Sequence, residues 1–133
     1  MTKIGLIRCE KNETRCPLTG CLTSLHNAAQ GFADLAQPEL IGVFTCHCPG
    51  DHIADMAKIL KSKGAEVISW CTCAFARREG GAWVLGGGFC DHLDELAQRV
   101  ARETGLPCIL GTAHLPQGYV PQTFDAPQDH ADG

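Results

Sequence analysis

The chain has 133 residues, 44% of them hydrophobic, and a formal charge of −4. That is one domain's length, with too much apolar side chain for a disordered polymer. No apolar run approaches the roughly 18–20 residues of a membrane span. Residues 1–102 carry all 11 Lys and Arg, matched by 11 carboxylates, so no basic stripe marks a nucleic-acid partner.

The opening stretch, Met1 to Arg8, is short and broken by Arg8. It does not read as a signal peptide, and the expectation is a cytoplasmic protein. The acidic excess lies in Glu103, Asp125, Asp129 and Asp132. The expected organisation is a single domain over 1–124 followed by a flexible acidic tail over 125–133.

Residues 3–8 predict a first strand ending at Cys9, followed by a loop over 10–21 that holds Cys16, Pro17, Gly20 and Cys21. The spacing of Leu25, Ala28, Ala29, Phe32 and Leu35 predicts a helix over 23–36, stopped by Pro38. Residues 40–45 predict a second strand running into Cys46, His47 and Cys48. Asp51 then caps a helix over 52–63, which Gly64 ends. Residues 66–70 predict a third strand running into Cys71 and Cys73. The stretch 74–90 has five glycines and reads either as a glycine-rich lid or as a hairpin with Trp83, Val84 and Leu85 in one strand. Asp91 caps a third helix over 92–104, stopped by Gly105, and residues 107–112 form a fourth strand shortly before His114.

Strands that alternate with helices predict an α/β fold. The expectation is a small, open, mostly parallel sheet of about four strands with helices on both faces, a flavodoxin-like three-layer arrangement in the order 2-1-3-4. In such sheets ligands sit outside the carboxyl ends of the strands.

The nine cysteines are then the informative residues. An odd count with no export signal argues against a disulfide framework. Cys9, Cys46, Cys48, Cys71 and Cys73 all follow predicted strands, and His114 follows the fourth. Cys46-x-Cys48 and Cys71-x-Cys73 each place two thiols on one face of an extended chain. Four such thiolates suit tetrahedral zinc at roughly 2.3 Å or a larger iron–sulfur body. Cys16, Cys21, Cys90 and His114 complete the candidate ligand set, with His47 and His92 as further candidates. Cys108, inside a strand, reads as packing. A rival motif is Cys71-x5-Arg77, the spacing of loops that hold an oxyanion in cysteine phosphatases and some arsenate reductases. That loop lacks glycine, and no clear helix follows it.

Several pieces in order resemble the CGGC-domain proteins. They are Arg8-Cys9, Cys16-Pro17, Cys21, Cys48-Pro49-Gly50, Cys73, Cys90-x-His92 and Gly111-Thr112 with nearby His114. The resemblance covers about residues 3–115 and implies a cysteine- and histidine-rich metal site without implying a known reaction. The chain departs from the family at the naming motif, which here reads Thr45-Cys46-His47-Cys48. Ser69 stands where the family favours a His four residues before its cysteine, and Ala113 separates Thr112 from His114. Cys46 and Cys71 are added thiols, which favours sulfur-rich ligation.

The expected function is therefore metal or cluster binding, with an iron–sulfur cluster as first choice and zinc as second. The site can perform redox or sulfur chemistry on a small-molecule substrate, or serve as a non-catalytic structural or carrier module. Cys9, Cys48 and Cys73 match both the strand-end rule and the family pattern, so these three are expected to share one pocket.

Overall fold

A computed structural model describes residues 1–125. Apart from Asp125, the expected tail lies outside the described residues. Among the described residues no helix is long and apolar enough to cross a membrane.

The strands β1 (Thr2–Cys9), β2 (Pro38–Cys46), β3 (Val67–Trp70) and β6 (Cys108–Leu110) form a parallel sheet in the order β2-β1-β3-β6. This is the expected 2-1-3-4 order. A fifth strand, β7 (Gln122–Phe124), joins β6 antiparallel. Its three residues carry little local signal. Tertiary bonds place it: Tyr119 Oη donates to the Leu110 carbonyl at 2.7 Å and accepts from Gln122 N–H at 3.1 Å.

Side chains alternate across β1 and so divide two layers. Ile7 packs against α2 (Ile53–Ser62) and α3 (Leu93–Thr104), with Ile68, Trp70, Cys108 and Leu110. Ile4 meets Leu25 of α1 (Thr19–His26) and Phe32 on the opposite face, while Leu6 meets Leu18 and Cys71 there. Gly5 and Gly42 admit α2 closely, since a Cβ on either would come within 2.8 and 2.9 Å of the Leu60 methyls. The fold is a small three-layer α/β domain.

Helix α3 follows expectation: Leu93, Leu96, Ala97, Val100 and Ala101 are buried, and Gly105 closes it in the left-handed region at φ 77°. The expected caps differ. The residues at the helix starts are His52 and His92, and neither makes a side-chain capping bond. Asp91 instead turns its carboxylate to His92 Nδ1 at 2.8 Å.

The first helix is the largest departure. It begins at Thr19 and ends at His26, and a separate 3-10 turn covers Gln30–Phe32. Ala28 and Gln30 take positive φ, which breaks the helix between Leu25 and Phe32. The reason is tertiary. Gly31 N–H donates to the Thr112 carbonyl at 3.0 Å, and a Cβ there would lie 2.0 Å from Gly111 O. Only glycine lets the backbone come that close, and this contact overrides the helical spacing.

The glycine-rich stretch is a hairpin. Strands β4 (Ala76–Glu79) and β5 (Ala82–Leu85) pair antiparallel through Gly80 and Gly81, both at positive φ.

Candidate functional site

β1 and β2 finish on the same rung, with Cys9 and Cys46 as register partners. Cys9 lies two residues beyond Ile7 and so shares its face, the side of α2 and α3. Trp70 is on that side as well, so the next residue, Cys71, turns to the α1 side. Beyond it the chain makes a 3-10 turn over Thr72–Ala74. The hairpin then returns to the same edge, where Phe89 N–H donates to Cys73 O at 3.0 Å and Cys90 N–H to Ala74 O at 2.9 Å.

These paths create two cavities at the carboxyl edge of the sheet. The first is lined by Cys9, Cys46, Cys48 and Cys90 over an apolar floor that includes Trp70 and Leu96. It holds about 20 Å³, close to one water-sized sphere. Burial pushes the Cys46 thiol up to about 12, and the charges of Cys90, Cys9 and Cys48 add to the shift. Cys9 and Cys90 are raised as well, first by burial and then by neighbouring thiols. Cys9, Cys46 and Cys90, all raised and all beside Cys48, form with it a donor set that a cation would complete. Among the described residues, no three Cys, His, Asp or Glu side chains yet converge tightly enough to hold an ion. Holding an ion there would require these side chains to draw closer together.

His92 and Glu10 brace this cavity. His92 Nε2 lies 2.8 Å from Pro49 O, and Nδ1 lies 2.8 Å from Asp91 Oδ1. Both partners are acceptors, so the doubly protonated ring fits best. Its pKa is raised by Asp91 first and by the Pro49 carbonyl second. A ring engaged on both nitrogens is a clamp between the two cysteine-bearing loops, not a free ligand. Glu10 accepts from Cys48 N–H and lies 3.3 Å from His47 Nδ1. These contacts hold the Glu10 carboxyl below its ordinary range, the Cys48 amide contributing most. His47 is exposed and lines neither cavity.

The second cavity, about 150 Å³, lies on the α1 side and is lined by Cys16, Cys21, Cys71, Cys73 and His114. The early start of α1 puts Cys21 in that helix's first turn rather than in a loop. Its Sγ is 3.8 Å from Cys71 Sγ and 3.0 Å from Thr112 Oγ1. Thr72 and Thr112 lock this wall reciprocally: each main-chain N–H donates to the other's hydroxyl, at 3.4 and 3.0 Å. Asn12 Nδ2 donates to Cys73 Sγ at 3.6 Å. The His114 ring stacks on Trp83 with centroids 5.4 Å apart. Arg8 lines both cavities.

The expected grouping is thus divided. Cys9 and Cys48 share the first cavity, but Cys73 faces the second, because strand alternation turns Cys71 away and the 3-10 turn carries Cys73 after it. Cys108 is fully buried in the core. The Cys71-x5-Arg77 oxyanion loop does not form. Arg77 is spent within the hairpin on Glu79 at 3.1 Å and the Gly86 carbonyl at 2.9 Å. Sequence reasoning gave no role at the site to Arg8, Glu10, Thr72 or Thr112, although Arg8 and Thr112 stand in the Arg8-Cys9 and Gly111-Thr112 pieces of the family resemblance and Glu10 follows Cys9 at a strand's end.

No curated protein and no solved structure matches the chain. Its residues 3–113 match the CGGC domain. With most of its length covered, and with the cysteines of that pattern gathered at one sheet edge, the chain belongs to the CGGC-domain family.

Proposed function

We propose that the protein binds a single metal ion through the thiolates of Cys9, Cys46, Cys48 and Cys90. The observation that carries this reading is the lining of the first cavity by these four thiols, drawn from β1, β2 and two loops that His92 ties together. Family membership supports metal binding in general. The cavity, about 20 Å³, has room for one ion such as zinc. Cys48 is exposed while Cys9 is buried, so one ligand faces solvent. Four thiolates fill the coordination of a tetrahedral zinc, as in structural sites, while the exposed Cys48 leaves one ligand within reach of solvent and small thiols.

The deciding experiment is metal analysis of anaerobically purified protein together with its visible spectrum. One equivalent of zinc in a colourless protein supports the proposal. A brown protein containing iron and sulfide would assign an iron–sulfur cluster instead. Protein that retains no metal after anaerobic purification and takes up none on titration would overturn metal binding.

A further inference from the structure

We propose that Cys21 and Cys71 form a redox-active dithiol that exchanges with a low-molecular-weight disulfide in the second cavity. Neither thiol lines the first cavity, so the inference does not depend on the metal centre.

Three observations support it. The two sulfurs stand 3.8 Å apart, already neighbours on the way to a disulfide bond of about 2.05 Å. The thiols differ in access: Cys21 is half-buried on the cavity wall, while Cys71 is buried behind it. A small disulfide entering the cavity therefore meets Cys21 before Cys71. Third, the surroundings stabilise negative charge on Cys21. Thr112 Oγ1 accepts from Thr72 N–H and can turn its own proton to Cys21 Sγ at 3.0 Å. Cys21 also sits in the first turn of α1, whose N-terminus favours a thiolate.

The ionisation pattern agrees. The Cys71 thiol holds Cys21 down at about 7, with help from Thr112 and Arg8 and against burial. Cys71 is pushed up by the same contact, by Cys73 and by burial. In the first cavity the shifts resolved for Cys9, Cys46 and Cys90 all run upward. Here Cys21 and Cys73 are both lowered by contact with Cys71, which is raised, as suits Cys71 in the resolving role.

The Cys21 thiolate attacks one sulfur of the small disulfide. The S–S bond breaks, and the second sulfur leaves with the electron pair and takes a proton. Cys71 gives up its proton to solvent and attacks Cys21 Sγ, and the first sulfur leaves as the second small thiol. The two protein thiols lose two electrons and two protons in all, and the small disulfide is reduced to two thiols.

The test is an anaerobic redox titration of the full chain in glutathione and glutathione disulfide, with acid quench, alkylation and peptide mapping. The expected first two-electron product is a peptide linked through Cys21 and Cys71. Cys21→Ser should leave Cys71 alkylatable at the potential where the unmodified protein is half oxidised, and should retain its metal. A first product that joins Cys71 to Cys73, or any pair within the first cavity, overturns the proposal. So does the absence of any disulfide across the titration. Mapping the unmodified protein needs no variant, so the test survives if Cys21→Ser misfolds. Loss of metal from a folded Cys21→Ser would make the second cavity part of the metal centre and also defeat the dithiol reading.

Discussion

Cys9 and Cys46 face each other across the last rung of the β1–β2 ladder, on the side of the sheet covered by α2 and α3. The pair is built by register, because two parallel strands end at the same level with the same alternation. Cys48 and Cys90 approach it on loops, and these four residues make the metal-site reading specific.

Cys48→Ser is the cleanest probe of that centre, because Cys48 is exposed and its loss leaves the core intact. Removing one thiolate of four should abolish most metal binding, since binding and local ordering are coupled. The metal-to-protein ratio after dialysis checks this, and full occupancy would move the centre elsewhere.

Cys108→Ser should retain metal while losing stability. The side chain is fully buried among Ile68, Trp70 and Leu110. A buried hydroxyl there, with the Trp70 indole N–H as its one polar neighbour, should cost about 1 kcal/mol. Urea unfolding measures the loss, and metal analysis of the same sample separates it from ligation.

Metal affinity should rise with pH. Burial and neighbouring thiols hold Cys46 up at about 12 and raise Cys9 and Cys90, so these ligands are protonated near neutrality and must release protons on binding. Competition titrations with a zinc indicator at several pH values should show this slope. A flat profile would mean that these thiols are not the ligands.

His92 should stabilise the fold most in mild acid. Its folded-state pKa is raised above 6.5, chiefly by Asp91, with Pro49 O and Glu95 adding. A raised pKa contributes stability that is complete below the unfolded value and is lost as pH rises through the folded one. His92→Gln should therefore flatten the fall in urea midpoint seen as pH rises above 6.5. An unchanged slope would show that the clamp carries no charge.

Gly31→Ala should be among the more damaging single changes outside the sites. Its Cβ would lie 2.0 Å from Gly111 O, against main chain that cannot swing aside. Crowding of this kind typically costs about 1–3 kcal/mol, and the rigid neighbour favours the upper end. Thermal unfolding reads it directly, and a neutral result would mean that the 28–32 turn can slide.

Much of the arrangement is legible in the order of the amino acids. Alternating apolar runs and helical spacing predict the parallel sheet, α2, α3 and the placement of five cysteines just after strands, while the order 2-1-3-4 comes from what is common among doubly wound sheets. Those signals are local, carried by burial periodicity and by glycine stops such as Gly105. The break in α1 is hidden because Leu25 and Phe32 keep helical spacing, and only the approach of Gly31 to Gly111 separates them. The three residues of β7 are hidden because their partners are Leu110 and Tyr119, not their neighbours.

The sequence by itself determined that five thiols follow strands at one edge of the sheet. Tertiary structure alone decided that they gather as two groups. Strand alternation sends Cys9 and Cys46 to one face and Cys71 to the other, a distinction of a single residue that depends on where each strand stops. The return of Cys90 depends on the hairpin's bonds to Cys73 and Ala74. Those contacts join residues far apart along the chain, and no local propensity encodes them.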